Sequence, residues 1–137
     1  MSAMLTLGVA LAGSLGAVAR FALDSGLTSW LDRRPERRTG HRPVRGGRFP
    51  WATLLINVSG SLLLGILAGL SAGGHLTASA LTVLGVGFCG GYTTFSTASV
   101  GAVTLLRARR YAAAAGNALG TLALCVAAAA LGVWLTR

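Results

Sequence analysis

Gly87-Phe88-Cys89-Gly90-Gly91-Tyr92-Thr93-Thr94-Phe95-Ser96-Thr97-Ala98-Ser99 is the stretch whose reading decides the fold. It carries three glycines and a run of hydroxyl side chains, and no charge. It lies inside a longer apolar segment, 78–106. As one straight helix that segment would be about 44 Å long at ~1.5 Å per residue, whereas the hydrocarbon core of a bilayer is only ~30 Å thick. Its middle is the part least suited to regular helix. Glycine loses more backbone entropy there than alanine does, and Ser and Thr offer the backbone competing hydrogen bonds. The reading is a transmembrane helix broken near mid-membrane. Non-helical backbone at that depth survives only when buried in protein or lining a wet cavity, and broken helices of this kind present free carbonyls and amides to ions.

The rest of the chain supports a membrane setting. Of its 137 residues 53% are hydrophobic and 11% charged, with a mean hydropathy of +0.68. A soluble domain carries charge on about a quarter of its residues. The apolar residues fall in long blocks, which predicts an all-α membrane protein: one four-helix transmembrane domain over 1–137, with spans at 4–23, 50–72, 78–106 and 111–135. The first span could pass for a signal peptide, but no basic segment precedes it and more spans follow. Residues 25–49 read as a flexible basic loop with Pro35, Pro43 and Gly46-Gly47, suited to anionic lipid head groups. Pro50 suits a first helical turn. Gly65 and Gly69, with Ser61 before them, form a small-residue face for close packing, and Gly116 and Gly120 are assigned a similar role. Residues 73–77 read as a short turn, and Trp134 and Arg137 as interfacial anchors.

The net charge of +9 does not point to nucleic acid, because the arginines that make it lie in loops between spans. All 12 basic residues are arginine. Seven lie in the first loop and three in the turn Arg107-Ala108-Arg109-Arg110, on one side of the membrane; the other side holds only Arg137. The positive-inside rule then puts both termini outside the cytoplasm, in one fixed orientation. Cys89 and Cys125 fall in apolar spans and read as small buried hydrophobes, neither disulfide nor metal pair. His41 and His75 read as solvated loop residues.

The only acids are Asp24, Asp32 and Glu36, all in or near the first loop. A proton-coupled exporter needs a titratable group in its path, and an acidic cation filter needs carboxylates. Neither is available. The spans hold neutral groups instead: Asn57, Thr93, Thr94, Ser96, Thr97, Asn117, Thr121 and the ring of Phe95. Hydroxyl and amide hydrogens donate to an anion, and an aromatic ring meets one at its positive edge. Such a line of donors suits a small, strongly hydrated anion. Arg20 has two readings. It snorkels and pairs with Asp24 at i+4, or it draws anions to a pore mouth. No nucleophile–base pair or metal constellation suggests an enzyme.

At this point the residues resemble the CrcB/Fluc family of bacterial fluoride channels. The run Gly87 to Thr97 is close to the family signature. Gly16-Ala17-Val18-Ala19-Arg20 and Thr53-Leu54-Leu55-Ile56-Asn57-Val58-Ser59-Gly60 look like its first-span and second-span motifs. The resemblance implies a passive, fluoride-selective channel in the bacterial plasma membrane that exports fluoride. It implies a dimer of two oppositely oriented four-span subunits, and a structural sodium ion on the backbone carbonyls of Gly90 and Thr93. Phe95 would be a pore phenylalanine; Asn57, Ser96, Thr97, Asn117 and Thr121 would lie along or beside the anion path, with Arg20 near a vestibule. Two positions depart from the family pattern. Ala98 stands where a second phenylalanine is usual, which leaves open a defective pore, and Gly101 where an acid is common. The arginine bias also fits a subunit that pairs with an oppositely inserted relative rather than with itself. The alternatives are a pore-deficient partner subunit, a small drug/proton antiporter, which should show a glutamate in the first span, and a membrane assembly subunit without transport.

Overall fold

The computed structural model describes residues 2–32 and 49–137. Most of the basic loop read at 25–49, namely 33–48, therefore lies outside the described residues, and with it His41 and Glu36. The helices in chain order are α1 (Ala3–Asp32), α2 (Trp51–Ala72), α3 (Ala78–Leu81), α4 (Gly90–Tyr92), α5 (Phe95–Arg107), α6 (Tyr111–Ala115) and α7 (Thr121–Thr136). Wider π-type turns, Thr82–Cys89 and Gly116–Gly120, join α3 to α4 and α6 to α7. Four stretches are long and apolar enough to cross a membrane: Ala3–Trp30, Trp51–Ala72, Ala78–Arg107 and Tyr111–Thr136.

The first helix continues past its expected end at Leu23, through residues assigned to the loop. No proline interrupts 24–32. Ser29 turns its hydroxyl back onto the Ser25 carbonyl at 2.7 Å, so a polar side chain there does not compete with the helix. The single Gly26 costs only about 1 kcal/mol of helix propensity.

The second span is the centre of the bundle. In its most apolar stretch 44% of residues are buried, against 11% to 17% in the other three. The outer faces of those three carry large exposed apolar side chains such as Leu11, Phe21, Val86, Leu122 and Val126. A helix apolar all round, with little of it buried in protein, is what lipid contact requires.

Two close backbone contacts set the packing. A Cβ on Gly65 would run into the backbone of Ala129, and one on Gly132 into the backbone of Leu62, Gly65 and Ile66. So α2 and α7 approach backbone to backbone, and the Thr136 hydroxyl reaches both Gly132 O at 2.8 Å and Ile66 O at 3.3 Å. Likewise a Cβ on Gly16 would strike the Phe88 carbonyl, and one on Gly91 the Gly13 carbonyl. The first span thus lies directly on the third. The packing expected of Gly116 and Gly120 is not made: a Cβ on either would meet nothing within 4 Å. Both belong to the π-type turn instead.

The two inter-span turns among the described residues end their helices in the same way. At 73–77 the His75 amide bonds the Leu70 carbonyl at 2.9 Å and Gly74 takes φ +77°. At the other turn the Arg110 amide bonds the Leu105 carbonyl at 2.9 Å, and the left-handed position, φ +58°, belongs to Arg109. A side chain there is disfavoured by roughly 1–2 kcal/mol, which glycine avoids. Arg109→Gly is therefore expected to raise stability by about 1 kcal/mol. Thermal unfolding in detergent would read this as a higher midpoint.

Candidate functional site

The third span leaves helical geometry at two residues. Thr93 has φ −82°, ψ 161° and Thr94 φ −148°, ψ 121°. In an unbroken α-helix each amide bonds the carbonyl four residues before it. Thr93 still does so, its amide and its hydroxyl both donating to the Cys89 carbonyl at 2.9 and 2.8 Å. At Thr94 the ladder stops. Its N–H donates to Oδ1 of Asn57 at 2.8 Å, and Nδ2 of Asn57 donates to the Thr94 carbonyl at 2.9 Å. The carboxamide thus bridges the two peptide groups on either side of the Thr94 Cα, taking the N–H of one and the C=O of the other.

The diversion frees the carbonyl of Gly90, whose helical donor would have been the Thr94 amide. The next carbonyl, Gly91, is taken by Arg20, whose Nε donates to it at 3.3 Å. Arg20 thus engages the third span rather than Asp24. It reaches there because Gly16, one turn earlier, rests on the Phe88 carbonyl with no side chain between.

Helix α5 restarts under a local cap. The Thr94 hydroxyl accepts from the Thr97 amide at 3.3 Å and shares hydrogen bonds of 3.1 Å with the hydroxyls of Ser96 and Thr97. A threonine at this position satisfies one of the free amides of a helix start.

A cavity of about 680 Å³ opens beside the interruption. Asn57, Gly90, Thr93, Thr94, Phe95, Asn117 and Thr121 line it, with Ala98, Cys89 and Cys125. Asn117, only 2% exposed, donates from Nδ2 to the Ala98 carbonyl at 3.0 Å. The π-type turn Gly116–Gly120 carries it, and such wide turns concentrate at functional sites. Thr121 stands at the end of that turn. Its hydroxyl is the one buried side-chain polar atom among the described residues without a hydrogen-bond partner.

Of the residues singled out from sequence, Asn57, Phe95, Asn117 and Thr121 share this cavity with Gly90 and Thr93. Ser96 and Thr97 are exposed and do not line it, and neither does Arg20, which stands on the first span and reaches the Gly91 carbonyl of the third. The Phe95 ring is 88% exposed. Gly101 sits against Pro50, where a Cβ would come to 3.0 Å from the ring, so a side chain there requires the proline to give by a few tenths of an ångström.

One contact escaped the sequence reading. Tyr92 stacks on Phe88, with ring centroids 5.9 Å apart, and its hydroxyl bonds Ser59 Oγ at 3.0 Å. The available signal was a tyrosine in an apolar span, since a buried phenol seeks a partner.

These features define a class: a four-span helical membrane protein with neutral donors gathered where its third span leaves helical geometry. Within that class the chain belongs to the family described as CrcB-like protein, Camphor Resistance (CrcB), whose model matches residues 7–133. It is 44% identical to the Fluoride-specific ion channel FluC 1 of Leifsonia xyli over 98% of this chain and 88% of that protein. It is 42% identical to the Fluoride-specific ion channel FluC of Nitrobacter winogradskyi over 96% of this chain and 94% of that protein. The Fluoride-specific ion channel FluC 2 of Mycobacterium tuberculosis is 36% identical over 96% of this chain and 90% of its own length. Together with the four spans, these matches make the chain a multi-pass bacterial membrane protein.

Asn57→Leu strips Thr94 of a donor and an acceptor at once. The loss is expected to be about 2–4 kcal/mol, against about 1 for Asn117→Leu, which removes a single bond to Ala98. Unfolding midpoints of the two variants would show that order.

Proposed function

We propose that this chain forms a passive, fluoride-selective channel, which carries fluoride out of the cytoplasm. The observation that carries the reading is the cavity of neutral donors beside the interruption, together with membership of a family whose similar members are named fluoride-specific ion channels. Fluoride enters a cell as the neutral weak acid and ionises in the less acidic interior. A pore for the anion then lets it leave down its gradient.

In this reading the interruption at Thr93–Thr94 lies near the middle of the membrane. The subunit works as a dimer of opposite orientations, with a second copy or an oppositely inserted relative. The large exposed Phe95 ring and the exposed Gly90 supply a face for that partner. Asn57, Phe95, Asn117 and Thr121 contact the anion path, and Ser96 and Thr97 extend it along α5. The unpartnered Thr121 hydroxyl has a hydrogen free to donate to fluoride.

A structural sodium ion fits the backbone here. Carbonyl oxygens are hard donors, and the Gly90 carbonyl has lost its helical donor to Asn57. Gly90 and Thr93 would hold the ion, and when bound it supplies positive charge that offsets the cost of an anion in a low-dielectric interior.

Protein reconstituted in liposomes, alone and then with an oppositely oriented relative, is expected to release fluoride and to retain chloride. Equal release of the two halides overturns the reading. Thr121→Val, isosteric without the hydroxyl, should lower fluoride flux while stability stays equal or rises by about 1 kcal/mol. Thr93→Ala should leave cation binding in place, because the main chain and not the hydroxyl is the proposed ligand.

A further inference from the structure

We infer that Arg20 sets the strength of the cation site, as a positioning residue whose fixed charge opposes the cation it helps to frame. The inference rests on the sodium reading above and deepens it.

Three groups of the interrupted backbone carry it. The Gly90 carbonyl is freed by the diversion of the Thr94 amide to Asn57. The Gly91 carbonyl next to it is occupied by Nε of Arg20 at 3.3 Å. Beyond these, the Thr93 carbonyl shares its peptide with the Thr94 N–H, so the bond from that N–H to Asn57 Oδ1 fixes the plane from which it projects. So the arginine removes one oxygen, that of Gly91, from the set available to a cation. It also stations a unit positive charge one peptide away from a proposed ligand.

The side chain has little freedom to leave. The first and third spans meet here through Gly16 and Gly91, where a Cβ would strike the backbone of Phe88 and of Gly13 respectively. Arg20 is half-buried and follows Gly16 by one helical turn. An arginine beside a cation site is unfavourable for that cation, so a role in tightening the ion is the wrong sign. The geometry suits moderation instead: the guanidinium holds the interrupted backbone in place when the ion is absent, and keeps the ion from binding too tightly when it is present.

The separation between the guanidinium and the Gly90 oxygen is on the order of 7 Å, from one Cα step and one hydrogen bond. At an effective dielectric of about 20, losing that charge changes cation affinity on the order of tenfold after screening.

The test measures the sodium dependence of the thermal unfolding midpoint of purified full-length protein, with N-methyl-D-glucamine chloride as the sodium-free balance. Arg20→Gln should bind sodium about tenfold more tightly than the unmodified protein. Arg20→Lys, which keeps the charge and loses the planar Nε donor, should stay within about threefold of it. Equal or weaker sodium binding in Arg20→Gln overturns the inference. Should that variant not fold, Arg20→Lys decides alone, because a tenfold loss there makes the hydrogen bond, not the charge, the operative feature. An unmodified protein whose midpoint ignores sodium sinks the cation reading itself, a result distinct from a sodium response that Arg20 does not alter.

Discussion

The two-point pairing of the Asn57 carboxamide with the N–H and the C=O of Thr94 is the constraint on which the rest depends. An N–H and a C=O taken out of a helix within an apolar span need other partners, because each one left unmet away from water costs several kcal/mol. The pairing meets both needs from one side chain. That side chain must come from a neighbouring helix and must itself be held in place, which explains why the second span is the most buried of the four. Ile56, beside Asn57 in sequence, is 2% exposed, so the donor stands on a fixed wall. The carbonyl left free at Gly90 is then a by-product of satisfying Thr94, not a separate expense.

Packing within the subunit serves that arrangement. The contact between α2 and α7 through Gly65 and Gly132 anchors the helix that bears Asn57. The contact between α1 and the third span through Gly16 and Gly91 brings Arg20 to the other side of the interruption. The two sides of the break are therefore braced by different spans: Arg20 on Gly91 before it and Asn57 on Thr94 after it. Ser59 adds a third brace by fixing Tyr92. Small residues make this possible because, without a hydrophobic drive between helices in lipid, close backbone contact and interhelical hydrogen bonds are what remain.

Much of this was legible in the sequence for a physical reason. Apolar blocks must be long to span a bilayer, so the four spans stand out in the hydropathy alone. A carboxamide in such a block must find a partner, which singled out Asn57 and Asn117. The long-range pairings were not legible. Nothing in the order of residues says that Arg20 meets Gly91 rather than Asp24, four residues away, since that choice depends on how closely two helices approach. The π-type turns were equally hidden, because glycine composition does not distinguish a packing stripe from a widened turn, and Gly116 and Gly120 were read as the former. The extension of α1 to Asp32 was missed because Ser25 and Ser29 look like loop residues, yet the Ser29 hydroxyl bonds back to the Ser25 carbonyl of its own helix.

The chemistry of the site follows from what the spans lack. No carboxylate and no basic side chain lines the cavity, so it holds no fixed charge that would repel or trap an anion. Asparagines already committed to backbone carbonyls keep part of their hydrogen-bonding capacity, and the Thr121 hydroxyl keeps all of it. A strongly hydrated ion gives up its water only for donors equally near, while an ion that conducts must also be released. Weak, neutral, partly engaged donors meet both conditions where a buried arginine would meet only the first. Among the described residues the arginine near the interruption, Arg20, bonds a carbonyl and does not line the cavity. On the channel reading, the fold holds its fixed charge at the backbone and leaves the path itself to neutral groups.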